Sequence, residues 1–215
     1  MRWQPADWTG PRFAAYQATL RRLVALPTWP SVAELDAALA PQLRAVEVRL
    51  VEPPPRGPEA PLYELQIADR REVPTRPGDA HDLWNAVVWA TFPAAKWALT
   101  AGLAAAQRRR RAAGPRLPGT RTPDHDRRAM LDEGGLLVAG ARAVVFGHAI
   151  LEHAARGVTA VRAARLALEV ADWTAAAVDA AAAAALNAGV VPSPGPGTPI
   201  DDAALAPWVA AAPSP

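Results

Sequence analysis

The sequence predicts a single α+β domain that is mainly helical and carries one or two short β-hairpins. Three observations lead there. Several segments repeat apolar residues at three- and four-residue spacing, the period of a helix with one buried face. Short runs alternate apolar and charged residues, as half-buried strands do. Proline and glycine clusters then cut the chain into pieces of element length. A length of 215 residues suits one domain with a tail, and 51% hydrophobic against 20% charged residues permits a core. The globular part is placed at residues 1–189 and a Pro/Gly/Ala-rich tail at 190–215.

Residues 1–10 read as an extended arm bearing Trp3 and Trp8. Phe13, Tyr16, Leu20, Leu23 and Val24 predict a helix over 11–26, stopped by Pro27-Thr28-Trp29-Pro30. Ser31 followed by Glu34 is a capping-box pattern, so a short helix follows to about residue 40. Val46, Val48 and Leu50 alternate with Glu47 and Arg49, and residues 62–67 alternate less strictly. The two runs are expected to pair as a hairpin across the proline-rich stretch 53–61, which cannot be regular structure. Residues 73–79 are a loop.

Asp79 is placed to cap a helix that turns Leu83, Trp84, Val87 and Val88 inward. Pro93 either breaks that helix or opens a second one running to about Ala112, with Arg108 to Arg111 at its end. Residues 114–123 are a loop, 124–131 a helix or turn, and Asp132-Glu133-Gly134-Gly135 has turn chemistry. Residues 136–138 and 143–146 are short buried segments, and Gly147 is a bend. A helix is expected from His148 to Arg156, closed by Gly157. Residues 159–188 read as one long Ala-rich helix or a kinked pair. In the tail, residues 201–209 are expected to dock through Trp208.

Composition narrows the function classes. Cysteine is absent, which removes disulfides and thiolate metal sites and makes the cytoplasm the default compartment. The net charge of +2 does not call for non-specific nucleic-acid binding, although the sequence pI is near 9.6. The start of the chain lacks a signal-peptide pattern, and no uninterrupted apolar run spans a membrane. There is no Walker loop, no G-x-S-x-G and no dinucleotide fingerprint.

The candidate site residues fall in three clusters. Arg76, His81, Asp82, Asn85 and Lys96 form the first, with His81 and Asn85 on one helix face. Asp124, His125, Asp126, Asp132 and Glu133 form the second, which a solvated acidic turn would also explain. His148 and Glu152 form the third; at i and i+4 they reach one metal ion from one helix face, or make a plain His–Glu pair. His153 points elsewhere. The His81-Asp82 doublet is that of helical HD-type phosphohydrolases, but those need an upstream His, and none precedes His81.

From Val73 to Lys96 the chain reads Val-Pro-Thr-Arg-x-x-x-x-His-Asp-Leu-x-Asn-Ala-x-x-Trp-x-x-Phe-Pro-x-x-Lys. Together with Asp126, Asp132-Glu133-x-Gly135 and Phe146-Gly147-His148-Ala149-x-x-Glu152, it resembles an uncharacterised bacterial family, the domain of unknown function numbered 3025. Leu26-Pro27-Thr28-Trp29-Pro30 with Leu35-Asp36 resembles that family's N-terminal segment, which usually has Asn in place of Asp. The resemblance covers most of residues 20–170. Its C-terminal Pro-Leu-Pro and Gly-x-Pro-Gly-Trp segment survives here only as an echo at 192–199. The resemblance implies no activity.

The residues themselves point to a metal-assisted hydrolase or lyase. His81, His148 and Glu152 are the expected ligands, with Asp82 or Asp132 completing the shell. Glu133 is the expected general base, with Asp132 beside it in the catalytic group. Arg76 and Lys96, with Asn85, are expected to hold an anionic small molecule, a phosphate or carboxylate. Imidazole with carboxylate suits a divalent transition metal, Zn²⁺, Fe²⁺ or Mn²⁺. The alternatives are a non-enzymatic anion-binding or interaction module in which the same residues form a buried network, and a protein whose basic helix end meets nucleic acid.

Overall fold

The computed structural model describes residues 3–55, 62–112, 122–158, 163–193, 200 and 205. The N-terminal arm is short 3-10 turns at Pro5–Asp7 and Pro11–Tyr16 leading into α1, Gln17–Val24. Trp3 packs edge-on to both Trp8 and Trp29, and Trp8 lies 4.7 Å from Trp84 between ring centroids. The arm therefore closes one end of the core. Helix α2, Val32–Leu43, starts at the expected capping box: Ser31 and Glu34 exchange side-chain and backbone hydrogen bonds.

The expected hairpin between residues 46–50 and 62–67 does not form. Strand β1 is Arg49–Val51, residues 63–70 are helix α3, Tyr63–Arg70, and β1 pairs in parallel with β2, Glu72–Pro74. A six-residue apolar run cannot separate period 2 from period 3.6 by itself. Here the tertiary partner decides: α3 lies against α5, Pro93–Ala112, with Gln107 donating to Glu64 at 2.6 Å. A parallel pair also needs a crossover element, which α3 supplies.

Helix α4, Ala80–Thr91, is capped by Asp79, whose carboxylate accepts the Asp82 N–H at 3.1 Å. Its Trp84 and Trp89 are fully buried, and Pro93 opens α5. Asp179 of α8, Ala175–Asn187, accepts the first free N–H groups of α5, from Ala94 at 3.0 Å and Ala95 at 2.7 Å. Helix α6, Pro123–Gly134, absorbs Asp132 and Glu133 into its last turn, where a free turn was expected.

Strands β3, Gly135–Ala139, and β4, Arg142–Val145, form an antiparallel hairpin. Helix α7, His148–Ala155, follows. The expected long helix over 159–188 is replaced by β5, Ala164–Ala167, parallel to β3, and then α8. Alanine favours helix, but β5 alternates buried Ala164 and Leu166 with exposed Arg165 and Ala167, a period-2 signal that alanine content hides. The result is a compact, mainly helical α+β fold. Among the described residues no helix is long and apolar enough to cross a membrane.

Ser193 pairs with Arg165 of β5, and Ile200 and Leu205 lie in the core. The expected docking through Trp208 falls outside the described residues, as do most of the loops at 53–61 and 114–123.

Candidate functional site

Four helix ends converge. His81 and Asn85 stand on α4, Lys96 on α5, Asp132 and Glu133 on the last turn of α6, and His148 and Glu152 on α7. The corner between α6 and α7 depends on close backbone approach. Phe146 and Gly147 both donate N–H groups to the Gly135 carbonyl, at 2.8 and 2.9 Å. A Cβ on Gly147 would overlap Gly135 N, Glu133 O and Gly134 Cα. With glycine there, His148 Nδ1 reaches the Asp132 carbonyl at 2.7 Å.

That bond fixes a tautomer. A carbonyl only accepts, so Nδ1 of His148 carries the proton and Nε2 presents a lone pair. On the other ring, His81 Nδ1 lies 3.1 Å from the Glu152 carboxylate, which likewise draws a proton to that nitrogen. The two Nε2 atoms then face each other at 2.9 Å. Glu133 Oε2 lies 3.3 Å from the His148 Nε2 and 3.7 Å from the His81 Nε2. Burial, opposed by Asp132 and aided by Lys96 and His81, lowers the pKa of His148 to about 4. It is therefore neutral near pH 7. Burial, with Asp132 and Glu152, raises the pKa of Glu133 against the pull of His81 and Lys96.

Around this centre the other expected residues are already engaged. Glu152 bonds Arg156 at 2.6 Å through one oxygen and His81 through the other. Asp82 is held by Arg76, which donates its backbone N–H and Nε to one oxygen at 2.8 Å each and Nη2 to the other at 2.9 Å. Burial works upward on the Asp82 carboxyl, but these bonds keep it below its ordinary pKa. Arg76 also touches Asp79 at 3.1 Å. Lys96, 2% exposed, donates to Asn85 Oδ1 at 2.7 Å and to Asp132. Burial again opposes ionisation of Asp132, yet Lys96 and His148 hold its pKa down. Asn85 Nδ2 continues the row to the Tyr63 hydroxyl at 2.7 Å.

The centre opens on a cavity of about 680 Å³ lined by Tyr63, Arg76, His81, His125, Glu133 and His148 among others. Its lining includes five carboxylates, of Glu64, Asp82, Asp126, Asp132 and Glu133, against the single guanidinium of Arg76. Lys96 does not line it but stands behind Asn85 and Asp132. The second sequence cluster thus contributes His125 and Asp126 to the wall. The arginine run sits at the far end of α5, where Arg108 pairs with Asp69. Tyr63 and Arg156 were not foreseen. Arg156 follows Glu152 at i+4, a readable signal; Tyr63 carries none, because a strand was expected there.

Residues 48–143 match a family described as Protein of unknown function (DUF3025). The match contains His81, Asp132 and Glu133 and stops short of His148 and Glu152. No curated protein and no solved structure matches the chain.

His81, Glu133 and His148 offer ligand atoms that all lie within 4.8 Å of one another. Their separations of 2.9, 3.3 and 3.7 Å bracket the roughly 3.3 Å that neighbouring ligands keep around a tetrahedral zinc with bonds of about 2.0–2.1 Å. Each imidazole is tied at its far nitrogen by an oxygen acceptor, the arrangement that orients metal-bound histidines. Two imidazoles and one carboxylate, all lining the cavity, are a donor set that could hold a divalent transition-metal ion.

Proposed function

We propose that this protein is a metal-dependent enzyme of hydrolase or lyase type, with the ion held by His81, His148 and Glu133. The observation that carries this reading is that two imidazole Nε2 atoms stand 2.9 Å apart, with the Glu133 carboxylate 3.3 and 3.7 Å from them. Two lone pairs at that distance repel unless a cation lies between or beside them. Zn²⁺, Fe²⁺ or Mn²⁺ suits this donor set.

When bound, such an ion supplies Lewis acidity and positive charge for a substrate oxygen. The chain does the rest. Glu152, anchored by Arg156, orients His81, and the Asp132 carbonyl orients His148. Lys96 keeps the Asp132 carboxylate ionised without entering the cavity. Asp82 and Asp79 occupy the Arg76 guanidinium, so an anionic substrate, phosphate or carboxylate, gains most of its countercharge from the ion.

A proton can take the metal's place, and one observation favours that second reading. His81 lies within reach of Glu152 on one side and of Glu133 and His148 on the other. Carrying both ring protons, it would donate to Glu152 and to His148 Nε2, giving a buried polar network with no ion. Elemental analysis of purified protein separates the two. The metal reading expects about one transition metal per chain and a melting temperature that falls on chelation; mass action at a hundredfold excess of metal is worth about 3 kcal/mol. His148→Ala should abolish both effects, and His153→Ala, on the exposed side of α7, should keep them. Metal-free protein that ignores added Zn²⁺, Fe²⁺ and Mn²⁺ would leave the proton network as the answer.

A further inference from the structure

The direction of one hydrogen-bond row determines what the cavity offers a ligand. The Lys96 ammonium has donors only, so the Asn85 atom facing it at 2.7 Å is the amide oxygen. That fixes the Asn85 amide, and its Nδ2 must face Tyr63. The Tyr63 oxygen therefore accepts, and its own proton is left over. Among the described residues Asn85 is its hydrogen-bond partner, and Tyr63 lines the cavity.

We propose that Tyr63 is the ligand-binding donor of this cavity: its hydroxyl, turned outward by Asn85, hydrogen bonds an acid or carbonyl oxygen of a small molecule bound beside His81, His148 and Glu133. The inference rests on the metal reading for the position of the ligand's reacting end, not for the direction of the row. The surroundings suit a neutral donor. The residue is 37% exposed and lines the cavity. Burial and the nearby Asp132 raise the Tyr63 pKa, so it keeps its proton. A phenol is also a neutral donor in a lining rich in carboxylates, and Asn85, which lines the cavity too, directs its amide N–H at Tyr63.

The test uses two probes on the full chain. Acetohydroxamate is titrated calorimetrically into Zn²⁺-loaded protein, and inorganic phosphate into chelator-treated protein. Tyr63→Phe should weaken at least one probe by about threefold to tenfold, the worth of one neutral hydrogen bond. Its affinity for Zn²⁺ should stay within about twofold of wild type, as expected for a residue outside the ligand set. Asn85→Asp supplies the arm that a merely structural role would not move. Its second oxygen would accept from Tyr63 and turn the hydroxyl inward, so binding should weaken although Tyr63 is intact. In a Tyr63→Phe background, Asn85→Asp should add little; a full additional loss would mean that its charge, not the hydroxyl, is responsible, and would overturn the proposal. Equal binding by wild type and Tyr63→Phe for both probes would overturn it too, as would failure of wild type to bind either. If Zn²⁺ does not bind, the metal reading falls and the phosphate titration alone decides Tyr63.

Discussion

Replacing Lys96 by Met should be among the most damaging single changes in this chain, and the structure gives the size. Lys96 is 2% exposed, lies 5.5 Å from the Trp89 ring centroid and donates to Asn85 and Asp132. Met keeps most of the stem's volume and packing, so the loss isolates the ammonium. Two acceptors are orphaned. The buried Asn85 oxygen costs about 1 kcal/mol or more when left unpaired. Breaking a fully buried ion pair costs about 3–5 kcal/mol because a charge remains uncompensated. The Asp132 side chain is 21% exposed at the cavity, so water repairs part of this and the lower end applies. The expected total is about 3–4 kcal/mol, a large share of the roughly 5–15 kcal/mol of a typical domain. Urea titration reads it as a shift in midpoint at constant slope. Adding Asp132→Asn should recover about 1–2 kcal/mol, because the second change removes the stranded charge and the two sites are coupled. A cost below about 1 kcal/mol, the level of an exposed pair, would refute the claim that this ammonium is structurally buried.

Two further outcomes follow from particular contacts. Burial raises the pKa of Asp179 to about 6 despite its bonds to Ala94 and Ala95, so between about 3.9 and 6 the folded chain binds the extra proton and stability should fall as pH rises. Melts across this window should show a decline of at most about 2–3 kcal/mol in wild type that is missing in Asp179→Asn, and parallel curves would contradict it. Gly147→Ala should cost about 1–3 kcal/mol through overpacking against the α6–β3 corner. It should also detach His148 from the Asp132 carbonyl, visible as a change in the His148 ring resonances; a variant with wild-type stability and spectrum would show that the corner yields freely.

The parts of the fold governed by local chemistry were legible in the sequence. Ser31 with Glu34, Asp79 before α4 and Pro93 at the start of α5 act on their own neighbours, and the structure places them as read. What failed was decided by distant partners. Residues 63–70 are helical because α5 covers them, and residues 164–167 form a strand because β3 offers an edge. The site divides the same way. Helical spacing put His148 and Glu152 on one face, and they do share one. It could not say that His81, arriving from α4, would stand between them, nor that the last turn of α6 would swing Glu133 towards both rings. The contacts of His81 join residues 52 to 71 positions apart along the chain, and no periodicity reports on them.

Stability alone is a poor reason for this arrangement. Lys96, Asn85, His148 and Glu152 are all buried, and swapping such a network for apolar residues of similar volume is often neutral or stabilising. The adjoining core shows that apolar packing was accessible, since Trp84, Trp89, Phe92 and Phe146 lie fully buried next to it. Each polar group instead fixes the direction of another: Arg156 fixes Glu152, Glu152 fixes His81, the Asp132 carbonyl fixes His148, and Lys96 fixes Asn85, which in turn sets the Tyr63 hydroxyl. These rows end at groups that line the same cavity, two ring nitrogens and one phenol. On the proposed metal reading the rows finish on two ring lone pairs and a phenol proton, the atoms that a cation and an oxygen ligand would meet, already oriented before either arrives.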